Sequence, residues 1–143
     1  MRRIKALAAL LIVLGSASAM AAEPEMAPIE DFLAQNLNSK NGAVEVHVGL
    51  RCYSLFRIMS FYTENNNMAE TSKKYKDSSL TFLEMASKAQ SPKNQSYLLG
   101  QVDIMISSYI NRFLKAKALT GNFSDDPVIS KDMKFCSDIL KDE

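Results

Sequence analysis

Apolar residues recur every three or four positions along most of this chain, which is the spacing of one face of an α-helix. No segment alternates apolar and polar residues in the manner of a half-buried strand. Glycine, proline and asparagine interrupt the helical spacing and divide it into five parts. These parts predict helices over residues 28–37, 43–65, 68–90, 94–119 and from Pro127 to Leu140. We therefore predict an all-α, single-domain bundle of four to five helices.

The predicted helices differ in how much of their surface is apolar. The second helix is apolar on two opposite sides, so we expect it to lie at the centre of the bundle. On the fourth helix, Leu99, Ile110 and Leu114 widen the apolar face and are expected to belong to the core. The third helix has a narrow apolar stripe and a charged remainder, as an outer helix does. Leu80 and Met85 fall outside that stripe, so they are either a contact surface for a partner or scattered exposed apolar residues.

The start of the chain has the three parts of a secretory signal peptide. A cationic segment precedes an apolar run over residues 6–14, and a stretch of small residues follows the run. The apolar run is too short to cross a bilayer as a helix, which takes about 20 residues. We expect a signal peptide over residues 1–21, cleaved after Ala19 or Ala21, and a helical domain over residues 22–143. Retention of the leader as a membrane anchor is the alternative.

Export changes how the charge of the chain is interpreted. Cleavage would remove Arg2, Arg3 and Lys5 and leave 14 basic against 16 acidic residues, a net charge of about −2 in place of +1. Because a chain without a basic block lacks the electrostatic signature of nucleic-acid binding, we expect no nucleic-acid partner. The predicted location is the periplasm or the medium. The sequons at Asn94 and Asn122 matter only in a eukaryotic secretory pathway, whereas the leader is of the bacterial type.

The chain has two cysteines, Cys52 on the second predicted helix and Cys136 on the fifth, both at apolar positions. An even pair in an exported chain usually forms a disulfide. Here it would close a loop of about 85 residues and stabilise the fold by about 4.5 kcal/mol in the chain-entropy model. Redox activity is the alternative, but it favours a Cys-x-x-Cys pair at a helix start. Catalysis by Cys52 with His47 as base is weaker still, since five positions place them about 140° apart around a helix.

Charged residues occupy two positions where the apolar pattern predicts core. Arg51 falls inside the apolar face of the second helix, with His47 on its flank, and Asp103 lies among the apolar residues of the fourth helix. A buried arginine needs an anionic or carbonyl partner. One interpretation is an ion pair of Arg51 with Asp103, or else with Glu45, Asp132 or Asp138. In another, Arg51 extends its head group past the core; in a third, it forms with His47 a patch that binds an anion or a partner.

Motifs that carry the chemistry of common enzyme classes are missing from the sequence. His47 is the only histidine, and a single histidine cannot build a zinc site. The methionines are dispersed along the chain rather than clustered. We therefore expect neither a metal nor a cofactor, and a protein that is not an enzyme.

One principal hypothesis about function remains after these exclusions. We expect a small, exported, non-catalytic helical protein that acts by binding another envelope or secreted protein. One alternative is a bundle that holds a small apolar ligand near Tyr62, Tyr109 and Phe113. A second alternative is a periplasmic stress chaperone, which would lose structure in acid and then bind unfolded clients.

Overall fold

The computed structural model describes residues 26–38, 42–89 and 95–142, and over these residues it consists of helices and connecting turns. Its five α-helices are α1 (Ile29–Gln35), α2 (Ala43–Asn65), α3 (Ala69–Ala89), α4 (Gln95–Thr120) and α5 (Pro127–Ile139), with a 3₁₀ turn at Phe123–Asp125.

The predicted all-α bundle is confirmed. The predicted ends of the second, third and fourth helices are within one residue of those in the structure, whereas α1 is shorter than predicted. The predicted signal peptide, its cleavage sites and Asn94 lie outside the described residues.

Local capping explains where α4 ends and α5 begins. Gly121 adopts a left-handed conformation with φ +79°, and its N–H donates to a carbonyl in the last turn of α4. Asp126 is the N-cap of α5, and its carboxylate accepts the N–H groups of Val128 and Ile129 at 2.9 and 3.0 Å. Pro127 follows in the first turn, where its missing N–H leaves no hydrogen bond unmade.

The central helix is α2, which contacts each of the other four helices. Its buried side chains divide between two groups of packed apolar residues. The first core cluster joins α2 to all the other helices and consists of Ile29, Val48, Cys52, Leu55, Phe56, Phe82, Tyr109, Val128, Ile129 and Cys136. The second core cluster joins α2 to α3 and α4 and consists of Val46, Leu50, Ala86, Leu98, Val102 and Met105.

Helix α3 packs antiparallel to α2 at very short range. A Cβ atom at Gly49 would lie 2.9 Å from the Cβ of Ala86 and 3.0 Å from the carbonyl oxygen of Phe82. Because side-chain carbons do not approach so closely, the bare backbone at Gly49 permits this helix separation. At the other end of the pair, the hydroxyl of Ser72 donates to the carbonyl of Ser60 at 2.9 Å.

Helix α4 runs parallel to α2. Leu50 shares the second core cluster with Val102, and further along both helices the rings of Tyr62 and Phe113 pack with centroids 5.2 Å apart. A residue of α2 therefore lies beside the residue about 51 or 52 positions later in the chain. Among the described residues, no helix combines the length and the apolar character that crossing a bilayer requires.

Candidate functional site

A buried polar network at the centre of the bundle is built around Arg51. Only 2% of Arg51 is exposed, and Asp132 on α5 is fully buried. The guanidinium donates to the Asp132 carboxylate, to the hydroxyl of Tyr109 at 3.2 Å and to the carbonyl of Ala27 at 2.6 Å. The same carboxylate accepts the Tyr109 hydroxyl and, at 2.7 Å, the backbone N–H of Ile29. One ion pair therefore ties together α2, α4, α5 and the segment that leads into α1.

The electrostatics of this network keep the Tyr109 phenol protonated. Burial raises the pKa of the Tyr109 phenol, and although the Arg51 charge opposes this rise, the Asp132 carboxylate reinforces it. The phenol therefore stays protonated and donates. The network offers no exposed acid or base to a substrate, so its role in this geometry is to hold the helices together.

The structure does not bring Arg51 and Asp103 together. Asp103 lies exposed on α4. Arg51 forms its ion pair with Asp132 instead, which the sequence indicated as an alternative partner. The reason is helical phase: Asp103 precedes Tyr109 by six positions, or about 240° around α4, so the two residues face different sides. Asp103 therefore does not share a site with Arg51 and His47, which both border a groove between α1 and α4.

His47 is half-buried and stacks on the ring of Phe32, with centroids 3.9 Å apart. Burial, helped by the nearby Arg51 charge, lowers the pKa of His47 from 6.5 to about 4. The imidazole is therefore neutral at physiological pH. Within the described residues, no three or more His, Cys, Asp or Glu side chains come together as metal ligands would.

His47 borders a groove between α1 and α4. Two adjoining depressions of about 390 and 250 Å³ make up this α1–α4 groove. Both are lined by Phe32, His47, Gln101 and Met105, and Ile104 extends the larger one. Most of the accessible wall is apolar. The polar side chains that line the larger depression are Gln35, His47, Arg51, Gln101 and Ser108.

The region of Tyr62, Tyr109 and Phe113, which the alternative hypothesis assigned to a ligand, contains packed aromatic rings. Phe123, from the 3₁₀ turn, packs against Tyr62 and Phe113 with ring centroids 5.1 and 4.6 Å away. Tyr109 belongs to the buried Arg51 network. In the region where the alternative hypothesis placed a ligand, Tyr62 and Phe113 therefore pack against Phe123, and Tyr109 hydrogen-bonds to Arg51 and Asp132.

The predicted disulfide between Cys52 and Cys136 is confirmed. Both residues are fully buried, and their Cα atoms are 5.6 Å apart. Cys52 directly follows Arg51, and Cys136 lies one helical turn after Asp132. A covalent bond and an ion pair therefore join α2 to α5 side by side.

A second feature is an apolar surface on one side of the bundle. Partly buried Tyr53, Leu83 and Ile106 pack against the second core cluster from α2, α3 and α4. Exposed apolar residues lie three, four, seven or eight positions from these three, which places them on the same helix flanks. We call this surface the open face, and its members are Phe61, Leu80, Leu99, Ile110 and Leu114, exposed by 55%, 51%, 67%, 40% and 60%.

The structure revises two sequence-based expectations about these apolar residues. Leu99, Ile110 and Leu114 were expected in the core, but α3 does not cover this flank of α4, so they stay exposed. Leu80 is exposed as a contact residue would be, whereas Met85 is half-buried against the first core cluster. Five positions place these last two residues about 140° apart, so they do not share a surface.

Two opposite charges border the open face. Arg57 is half-buried, and its guanidinium lies over the ring of Phe61, 5.0 Å from the centroid. Asp103 is exposed between Leu99 and Ile110 on α4. Neither charge forms an ion pair within the part of the chain that the structure describes. The charged residue inside an apolar stripe was the sequence signal that this flank faces solvent.

Comparison of the chain with protein-family models, with curated proteins and with solved structures gives no significant match. The geometry of the Arg51 network, the α1–α4 groove and the open face therefore carries the functional argument.

Proposed function

We propose that this chain is a non-catalytic exported protein that acts by binding another exported protein through the open face. The observation that carries the proposal is that five of the ten exposed large apolar side chains among the described residues share, by helical spacing, one side of the bundle. Side chains of this size present ~150–200 Å² each, so their exposed fractions leave about 500 Å² of apolar surface. Contiguous patches of this size on soluble domains commonly mark protein-binding sites.

The proposed location, periplasm or medium, rests on two features. The chain begins with the charge and hydropathy pattern of a secretory leader. It also contains a fully buried disulfide, and disulfides persist mainly in oxidising compartments. The proposed partner is a protein of the same compartment.

Site-specific photo-crosslinking in the producing cell tests the proposal. We would place a benzophenone amino acid at Leu99, on the open face, and in a matched variant at Ile104 on the opposite flank of α4. Both positions are exposed, by 67% and 57%, and five positions separate them by about 140°. We expect a protein adduct from Leu99 and a much weaker one from Ile104. No adduct at Leu99, or equal adducts at both positions, would contradict the proposal.

A second candidate function is the binding of a small apolar ligand in the α1–α4 groove. The observation in its favour is the groove itself, since 390 Å³ lies within the usual range for ligand sites and the lining is mostly apolar. Titration with a fluorescent apolar probe tests this alternative. If the groove binds the probe, Ile104→Glu abolishes the fluorescence change and Leu99→Glu preserves it. The reverse pattern would show that the probe binds the open face.

A further inference from the structure

We propose that the partner at the open face is a second copy of this chain, with α4 packed antiparallel to α4 of that copy. This inference rests on the proposed function, because it takes the open face to be a protein-binding surface. It identifies the partner from the order of residues along α4 and from the two charges beside it.

Two exposed apolar residues of α4, Leu99 and Leu114, lie at equal distances from a point between residues 106 and 107, near the middle of the helix. In an antiparallel pair related by a twofold axis between residues 106 and 107, Leu99 lies opposite Leu114 of the second copy. By the same symmetry, Asp103 lies opposite Ile110 of the second copy. The axis passes beside Ile106, which already packs against the second core cluster. Each end of the apolar stripe therefore meets an apolar residue of the other copy.

The charges complement each other in the same arrangement. Arg57 lies at the level of residues 108 and 109, one or two positions before Ile110, because residues of α2 align with residues about 51 or 52 positions later in α4. Since Ile110 faces Asp103 of the second copy, Arg57 faces that carboxylate too. Within one copy the two charges are about six residues apart along the helix axis, or ~9 Å. The dimer would form two symmetry-related Arg57–Asp103 ion pairs that a single copy does not make.

The area of the open face determines the affinity that we expect for the dimer. Two open faces together would bury about 1,000 Å² of apolar surface, which is near the lower limit for a specific interface. Leu83, Ile106 and Tyr53 at the base of the face add further area. We therefore infer a reversible dimer that dissociates on dilution. Because both copies use the same surface, the twofold symmetry adds no third copy.

Sedimentation equilibrium of the exported, disulfide-bonded protein measures this dimer. We expect Leu99→Glu to weaken dimerisation by about a hundredfold, because it buries a carboxylate against an apolar surface. Ile104→Glu, on the other flank of the same helix, is the matched control and should leave dimerisation unchanged. Circular dichroism and the melting temperature of each variant show whether the bundle is still folded.

Charge reversal tests the predicted ion pairs. Arg57→Asp alone and Asp103→Arg alone each place like charges opposite each other and should weaken the dimer by about tenfold. The double variant restores opposite charges and should recover most of that loss. A double variant as weak as the two single variants together would overturn the proposed antiparallel register.

The photo-adduct from Leu99 separates this inference from the proposed function. The inference requires that the adduct contain the peptide of a second copy that carries Leu114. A monomer in solution whose Leu99 adduct contains a different protein would overturn the dimer and leave the proposed function standing. A monomer with no adduct would overturn both, and a dimer unaffected by Leu99→Glu would show that another surface pairs the copies.

Discussion

Replacing Asp132 by asparagine leaves Arg51 with a charge that is almost fully buried and has lost its carboxylate. The remaining partners of the guanidinium are the Tyr109 hydroxyl and the carbonyl of Ala27. Breaking a buried ion pair by removing one member typically costs about 3–5 kcal/mol. Domains of this size are stable by roughly 5–15 kcal/mol, so Asp132→Asn is expected to remove about a fifth or more of the folding free energy.

The converse substitution, Arg51→Met, is expected to behave differently with pH. It strands a fully buried carboxylate, which can neutralise itself by taking up a proton, whereas a guanidinium cannot lose one. The destabilisation by Arg51→Met, relative to wild type at the same pH, should therefore shrink as the pH falls from neutral towards 4. The destabilisation by Asp132→Asn should stay nearly constant over the same range.

Urea denaturation with the disulfide intact measures both effects, and the double variant Arg51→Met/Asp132→Leu completes the cycle. The double variant should lose less stability than the sum of the single variants, because it leaves no unpaired buried charge. Lys73→Met, which breaks an exposed ion pair with Asp77, is the control and should change stability little. Single-variant losses under about 1 kcal/mol, or strict additivity, would refute the reasoning.

Three further predictions concern other parts of the bundle. Replacing both Cys52 and Cys136 by alanine should lower the free energy of unfolding by about 4.5 kcal/mol, because the loop between them spans 84 positions; an unchanged urea midpoint would contradict this. The pKa of His47, about 4 against an ordinary 6.5, should appear in a proton NMR titration. Because the folded state resists protonating His47, the contribution of neutral His47 to the free energy of unfolding is fully present above pH 6.5 and is lost as the pH drops towards 4. The expected loss is on the order of 1–2 kcal/mol after allowance for solvent screening, and His47→Gln should remove this pH dependence. Gly49→Ala should destabilise the bundle by about 1–3 kcal/mol, because the new Cβ would collide with α3. Gly100→Ala, whose Cβ would meet nothing within 4 Å, should stabilise the bundle by about 0.5–1 kcal/mol. Equal shifts in melting temperature for the two variants would refute the close-packing argument.

The sequence was most informative where the controlling interactions are local. The caps at Gly121 and Asp126 and the spacing of apolar residues depend on neighbours within a few positions, so the helix ends were predictable. The disulfide was predictable because two cysteines allow a single pairing and both lie at apolar positions. The sequence also indicated that Arg51 is buried and needs a partner.

The choice of that partner could not be predicted from the sequence. Several carboxylates had a suitable helical position, and only the packing of α5 against α2 selects Asp132 over Asp103. The same holds for Leu99, Ile110 and Leu114. A helix flank has the same apolar spacing whether a neighbouring helix covers it or solvent does.

The sequence by itself determined the five-helix pattern, the disulfide and the need to satisfy a buried arginine, because these depend on residue type and short-range spacing. The tertiary structure alone decided that α3 leaves one flank of α4 uncovered, which creates the open face. It also placed Phe123 against the rings of Tyr62 and Phe113, in the region where an alternative hypothesis put a ligand. These outcomes depend on how helices distant in the chain are arranged around α2, and helical periodicity carries no information about that arrangement.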